Sequence, residues 1–225
     1  IAWQHYDPIF LAGQGTIPAQ NTWAFPGGNT YQLTAGLSPD PATLGPGRVG
    51  SIEPTPHTDF RIAVDIVGWD PLLDQAIGPM ARLSSIGPGS TKGYALTYQV
   101  NDRDIDISKI TAEAASGVPV AGEDSFDLAP GKAYRFVFSG KGSELRALVF
   151  ELPETMNPVV DCLGTDSTYG SGVAGLLGFD NASGAGTADV TFDNYSDTAA
   201  AAPAVSVAAG STPGGNITVA WPYTR

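Results

Sequence analysis

Residues 134–152 read YRFVFSGKGSELRALVFEL, and this stretch decides the fold. Two runs rich in aromatic and aliphatic residues, 134–139 and 145–152, flank the glycine- and serine-rich segment 139–143. A short glycine-containing segment between two such runs is typical of a β-hairpin. The sequence therefore predicts two antiparallel strands joined by a tight turn.

Similar strand patterns occur along most of the chain. Short apolar or alternating runs, bounded by Gly, Pro, Asn or Asp, indicate strands. Besides the hairpin, they lie at residues 30–33, 48–52, 60–67, 94–100, 105–110, 173–179 and 188–194. Helices are predicted only at 70–76 and 108–115, so the alternation of strand and helix that builds a parallel sheet is missing. The expected fold class is all-β, an antiparallel two-sheet sandwich.

The composition excludes several classes of protein. The 225 residues include 23 acidic and 11 basic ones, a net charge of −12, which argues against nucleic acid as a partner. The apolar runs are too short for a membrane-spanning helix, so we expect no membrane insertion. A single cysteine, Cys162, excludes a disulfide scaffold and is expected to be a buried small side chain. Few Lys and Cys with many Gly, Ser and Thr predict a secreted or cell-surface bacterial protein.

The chain divides into three parts by composition. Residues 1–197 carry the strand pattern and form the predicted main domain. Residues 198–204 are an Ala/Pro linker, and residues 205–225 form a short β tail. The tail is too short to fold alone. It either begins a second β module or pairs with another molecule, which would give a homo-oligomer or filament.

Six segments carry a resemblance to a known family. They are TDFRIAVDIVGWD (58–70), IGPMAR (77–82), GYALTY (93–98), the hairpin 134–152, DSTYGSGVAGLL (166–177) and ADVTFDNY (188–195). Together they resemble the concanavalin A-like, LamG-type jelly-roll modules of secreted or cell-surface bacterial proteins, over about residues 5–197. The resemblance implies a jelly roll of two curved antiparallel sheets, with the N- and C-terminal strands adjacent on one sheet. It does not fix a function, because this fold carries hydrolases, lyases, lectins and adhesive modules.

No pattern of catalytic residues stands out. Glycosidases need two carboxyl groups held a few ångströms apart, and laminarinase-like members of the resembled fold carry E-x-D-x-x-E. This motif is missing, and we expect the nearest acidic pairs to be surface residues: Glu123–Asp124, Asp104–Asp106 and Glu151–Glu154. His5 and His57 are isolated in sequence, and His57, in the Pro-rich stretch EPTPHTD (53–59), is expected to lie at the surface or in a turn.

Ligand-binding candidates are aromatic and charged residues of the central strands. Trp69 and Tyr94 could stack on a sugar ring, while Asp65 and Arg82 could bind its hydroxyl groups. Tyr94 belongs to the apolar phase of its strand, which also fits packing in the core, and Asp65 with Arg82 also fits a structural ion pair. The sequence leaves both alternatives open and favours the structural ones.

A calcium site is expected near the last strand. Carbohydrate-active jelly rolls often hold a structural Ca²⁺ between their first and last strands, and Asp193 resembles the late-strand aspartate of such sites. The loop around Gly28 would add carbonyl oxygens, which Ca²⁺ accepts. A turn-capping role for Asp193 is the alternative.

These observations predict a non-catalytic module for glycan binding or for surface or matrix adhesion. One alternative is a structural subunit that self-assembles through its C-terminal strand. Another is a glycoside hydrolase or polysaccharide lyase with a non-standard site.

Overall fold

Two facing antiparallel sheets form the structure, a computed structural model that describes residues 4–6, 21–38, 40–87, 89–123, 125–182 and 186–199. In chain order the elements are β1 (Gln4–Tyr6), β2 (Thr22–Ala24), β3 (Tyr31–Ala35), α1 (Pro41–Leu44), β4 (Arg48–His57), β5 (Phe60–Trp69), β6 (Gln75–Ser84), β7 (Lys92–Gln99), β8 (Asp104–Thr111), β9 (Ala114–Ala115), β10 (Ala121–Glu123), β11 (Tyr134–Lys141), β12 (Glu144–Glu151), β13 (Val160–Thr165), β14 (Gly172–Asp180) and β15 (Ala188–Ala199).

The chain passes repeatedly between the two sheets. Sheet A has the order β1-β4-β14-β6-β7-β8-β10, with β9 paired to β8. Sheet B has the order β13-β12-β11-β5-β15-β3-β2. Several neighbours in a sheet, such as β4 and β14 or β5 and β15, are distant in sequence, which is the arrangement of a jelly roll. In the described residues, no helix is long and apolar enough to cross a membrane.

The core lies between the sheets, because alternate residues of each strand point to the same face. On β7, Tyr94, Leu96 and Tyr98 are buried in the core. The intervening Thr97 and Gln99 therefore point away from the core, to the outer face of sheet A. One set of alternate residues on β7 thus faces the core, and the other set forms part of a more polar outer face.

The predicted hairpin is confirmed. β11 and β12 pair in continuous register from Tyr134–Glu151 to Lys141–Glu144. Gly142 has φ of 56°, a left-handed conformation that glycine adopts at little cost. The other strands predicted between residues 30 and 194 are confirmed as well, whereas β2, β9, β10 and β13 lie outside every predicted strand.

Both helix predictions are wrong. Residues 70–74 form a turn that leads into β6, and residues 108–115 form the end of β8 and the whole of β9. Ala112 and Glu113 have φ of 51° and 65°, so they make a two-residue hairpin turn instead of continuing a helix. The alternation of residues 105–111 outweighs the local helix propensity. The short helix α1 was not predicted.

The implied adjacency of the first and last strands is also wrong. β1 pairs with β4 in sheet A, whereas β15 lies between β5 and β3 in sheet B. β15 extends to Ala199, two residues beyond the predicted end of the main domain at 197. The rest of the predicted linker and the tail at 205–225 lie outside the described residues.

Candidate functional site

The outer face of sheet A contains a cavity of about 730 Å³. Its floor is formed by outward-pointing residues of β6, β7, β8 and β14, and its rim by segments 45–48, 89–91 and 112–119. This volume lies in the range of small-molecule sites.

One half of the floor is polar. Thr97 and Gln99 of β7 lie beside Asp106 and Ser108 of β8, and Asp106 is only 7% exposed. Gln99 Nε2 donates to Asp106 Oδ2 at 2.7 Å, and Asn181 Nδ2 donates to Gln99 Oε1 at 3.4 Å. This chain of hydrogen bonds orients the amide and carboxylate groups toward one side of the cavity. Oriented polar groups of this kind are what give a pocket specificity.

The other half of the floor is apolar. Met80, Ala95 and Ile110 are buried together with Leu83, and Leu177 packs against them. This cluster is separate from the core between the sheets. The cavity therefore presents an aliphatic surface beside hydrogen-bonding groups, a combination that suits a ligand with both C–H and hydroxyl surfaces.

An ion pair closes one side of the rim. Arg48 NH2 of β4 lies 3.4 Å from Glu113 Oε2 in the β8–β9 turn. Gly89 N also donates to Glu113 Oε2, at 2.5 Å. Glu113 thereby ties three separate segments together around the cavity, so it holds the shape of the rim.

Asp65 and Arg82, predicted to form either a ligand site or an ion pair, do not contact each other. Arg135 Nε and NH2 donate to Asp65 Oδ1 and Oδ2 at 2.6 and 2.8 Å, and Asn194 Nδ2 donates to Oδ2 at 2.9 Å. The expected Asp65–Arg82 pair is therefore wrong, because β11 and β15 flank Asp65 in sheet B while Arg82 lies in sheet A.

Arg82 is buried and contacts mainly backbone. Its Nε donates to Thr58 O and its NH1 to Tyr169 O, both at 3.0 Å. The guanidinium lies 5.4 Å from the ring centroid of Phe60 and 4.0 Å from Asp59 Oδ1. Burial lowers the pKa of Arg82, and the nearby Asp59 opposes this. These contacts link the β4–β5 turn, β6 and the segment before β14.

Tyr94 and Trp69 face the core. Tyr94 is fully buried, and its hydroxyl donates to Asp166 Oδ1 at 2.6 Å. Burial and this hydrogen bond raise the pKa of Tyr94 to about 12. Trp69 packs edge-on against Tyr98, with ring centroids 6.1 Å apart. Neither residue lines the cavity on the outer face of sheet A, nor do Asp65 and Arg82. A ligand-binding role for these four residues stays a prediction.

The structure places Asp193 close to the loop that contains Gly28. Tyr31 pairs with the neighbouring Phe192, and Asn29 lines a cavity of about 340 Å³ with Asp193 and Asn194. Gly28 has φ of 61° and belongs to the turn, but does not line this cavity. Asp193 Oδ1 accepts a hydrogen bond from Asn194 N at 2.7 Å, as in the turn-capping alternative.

Two expectations of surface location are wrong. Asp106 lies in the cavity floor because the rim segments and β10 cover it, and its register partner Gly122 has no side chain to displace it. His57 is at the end of β4 with 14% of its side chain exposed, next to Asp197 of β15. Glu123 and Glu154 are exposed as expected, and Cys162 is buried as expected. Asp124 and the side chain of His5 are outside the described part of the structure.

Sequence reasoning missed the residues that line the cavity. The signal was present, because Thr97, Gln99, Asp106 and Ser108 occupy the polar phase of two amphipathic strands. Such a phase is usually read as solvent-facing. Only the packing of the rim segments over sheet A converts it into a pocket.

No family model matches the chain, and no curated protein matches it in sequence. Solved structures do match. The carbohydrate-binding module CBM66 from Bacillus subtilis superposes with a TM-score of 0.59 at 18% identity, covering 87% of this chain and 94% of that one. The exoplasmic/lumenal domain of VIP36, bound to Ca²⁺ and Man3GlcNAc, superposes with a TM-score of 0.55 at 10% identity. The match covers 89% of this chain and 86% of that one.

These similarities, with the two antiparallel sheets, define the class of fold. The chain is an all-β, concanavalin A-like jelly roll, as the sequence predicted. At such low identity the similarity concerns the fold alone.

Proposed function

We propose that the protein is a non-catalytic β-sandwich module that binds glycan in the cavity on the outer face of sheet A. The observation that carries this proposal is the floor itself, where Gln99 and Asp106 lie beside the aliphatic surface of Met80 and Ile110. A sugar has hydroxyl groups around its edge and C–H groups on its faces, so it matches both halves. The names of the similar structures, a carbohydrate-binding module and a mannose-oligosaccharide-bound domain, support the same ligand class.

The carboxylates of the cavity favour binding over hydrolysis. Asp106 is held by Gln99, and Glu113 is held by Arg48 and the backbone of Gly89. Each is an acceptor in a fixed network, and neither belongs to the E-x-D-x-x-E motif of laminarinase-like members of the fold. The glycoside hydrolase or lyase alternative therefore has less support than binding.

Three further parts of the proposal rest mainly on the sequence. Secretion from a bacterial cell is supported by the composition. Self-assembly through residues 205–225 is supported only by the strand-like pattern of that tail. A structural Ca²⁺ at Asp193 and Gly28 is supported by the closeness of the loop to the last strand, although Asp193 is the single carboxylate among the residues lining the small cavity there.

The test is a glycan array followed by calorimetric titration of the best ligand. We expect Asp106→Ala to weaken binding by about tenfold or more, a loss of about 1.4 kcal/mol, because the substitution removes an acceptor from the floor. Asp161→Ala is the matched control, since Asp161 lies on sheet B in an exposed pair with Arg146. Binding that is absent from the whole array, or equal in both variants, would contradict the proposal.

A further inference from the structure

A second cluster of polar side chains lies outside the cavity, between the two sheets. Glu53 and His57 belong to β4 of sheet A, and Asp197 belongs to β15 of sheet B. One ligand atom from each residue lies within 4.8 Å of the other two. At about 3.3 Å per residue, Glu53 is roughly 16 Å along β4 from Arg48 at the cavity rim. The cluster is thus separate from the proposed glycan site.

A bulge in β4 creates the cluster. Glu53 is opposite Ala174 and His57 is opposite Gly172, so β4 contains two more residues than β14 over this interval. Extra residues bend a strand and redirect its side chains. The interval contains Pro54 and Pro56, which lack the N–H group needed for regular pairing.

The Glu53 carboxylate is held in place from within the bulge. Thr55 N donates to Glu53 Oε2, and Thr55 Oγ1 donates to Oε1, both at 2.9 Å. Each carboxylate oxygen has more than one lone pair, so both can still bind a further group. The bulge therefore presents Glu53 in a fixed orientation.

Asp197 is the buried member of the cluster, with only 4% of its side chain exposed. Among the described residues, no backbone N–H and no side chain other than those of His57 and Glu53 bonds to either of its carboxylate oxygens. Its Oδ1 lies 3.1 Å from His57 Nε2, and the Glu53 carboxylate is also close. A buried carboxylate that faces a second carboxylate, with one imidazole as its neighbouring donor, is costly unless a cation compensates for it.

The electrostatics of the cluster also favour an added positive charge. Among the described residues, the ionisable neighbours of Asp197 are the Glu53 carboxylate, the His57 imidazole and the Tyr195 phenol. One imidazole therefore faces two carboxylates and a phenol in a mostly enclosed space.

We propose that Glu53, His57 and Asp197 bind one divalent transition-metal ion, of which Zn²⁺ is the best match. Zn²⁺ binds imidazole nitrogen and carboxylate oxygen at about 2.0–2.2 Å, which places the ligand atoms of a tetrahedral site about 3.3 Å apart. The 3.1 Å between His57 Nε2 and Asp197 Oδ1 fits this spacing. Three protein ligands leave a fourth position for water. Ca²⁺ prefers oxygen-only sites, so this site differs from the calcium site predicted at Asp193.

The bound ion cross-links the sandwich. It joins β4 of sheet A to the end of β15 of sheet B, two residues before the end of that strand at Ala199. Because a ligand that binds only the folded state stabilises it, the melting temperature should rise with metal concentration.

The test uses the full 225-residue chain without a histidine tag, stripped with a chelator and titrated with ZnCl₂ by calorimetry. We expect one ion per chain and a higher melting temperature with zinc. His57→Gln and Asp197→Asn should each weaken Zn²⁺ binding at least about tenfold, since even loss of an indirect contact to a ligand costs about 10–100-fold. Co²⁺, titrated separately, should give a visible absorption spectrum that both variants lose.

His5→Gln is the matched control, because His5 is the other histidine of the chain. It should keep the zinc affinity, and circular dichroism should show that every variant is folded. If the parent chain does not bind zinc, or if His57→Gln and Asp197→Asn bind it as the parent does, the proposal is wrong. Equal loss in the His5 variant would also overturn it.

Discussion

Gln99 of β7 donates a 2.7 Å hydrogen bond to Asp106 of β8 across the floor of the cavity in sheet A. The two residues are not direct register partners, since Gln99 is opposite Asp104 and Asp106 is opposite Thr97. The diagonal contact is within reach of long side chains on adjacent strands. It keeps the Asp106 carboxylate turned along the floor, where a ligand hydroxyl would meet it.

Gln99→Met should therefore weaken glycan binding by several-fold and destabilise the fold by about 1–3 kcal/mol, because a buried carboxylate loses a donor. Titration calorimetry and chemical denaturation measure the two effects. Gln32→Met is the control, since Gln32 Nε2 donates to Asp189 Oδ1 at 2.7 Å on sheet B. It should lower stability and leave glycan affinity unchanged. Equal affinity losses in both variants would contradict the assignment of the site.

Gly122→Ala tests the space beside Asp106. A Cβ at Gly122 would overlap Asp106 Oδ1, so the carboxylate would have to move from its position in the floor. We expect weaker glycan binding with the fold retained. Gly170→Ala is the control, because a Cβ there would meet no atom within 4 Å. Unchanged affinity in Gly122→Ala would show that the position of Asp106 does not matter for binding.

The sequence predicted the strands well because the alternation of β7, β8 and β11 depends only on local spacing. It could not predict which outer face is covered, since the rim of the cavity joins Gly89, Arg48 and Glu113 from distant parts of the chain. It also could not choose the partner of Asp65. Both Arg82 and Arg135 follow Asp65 on nearby strands, and only sheet order decides that β11 pairs with β5.

Asp65→Asn separates the structural role of Asp65 from the predicted ligand-binding role. Breaking its buried bidentate pair with Arg135 should cost about 3 kcal/mol of stability, measured by chemical denaturation. Asp161→Asn breaks a bidentate pair with Arg146 of similar geometry, but 43% of the Asp161 side chain is exposed. That substitution should cost less than about 1 kcal/mol. Loss of glycan binding without loss of stability in Asp65→Asn would instead support a ligand-binding role.

Asp166 should make the stability of the fold depend on pH in the acidic range. Its Oδ1 accepts hydrogen bonds from the Tyr94 hydroxyl at 2.6 Å and from Thr168 N at 2.7 Å, and Lys109 Nζ lies 3.2 Å from Oδ2. Burial alone would raise the pKa of Asp166, but these hydrogen bonds outweigh it and hold the pKa well below its usual range.

A carboxyl group whose pKa is lower in the folded state contributes its stability above the unfolded pKa of about 3.9 and loses it as the pH falls further. Asp166→Asn should therefore be less stable than the parent chain near neutral pH, and the difference should shrink as the pH falls from about 5 to about 2. Urea denaturation of both proteins at a series of pH values measures this difference in stability. Asp127→Asn is the control, because Asp127 also accepts from a tyrosine, Tyr98, but is 58% exposed. A stability difference for Asp166→Asn that stays constant over this pH range would show that its hydrogen bonds do not favour the charged carboxylate.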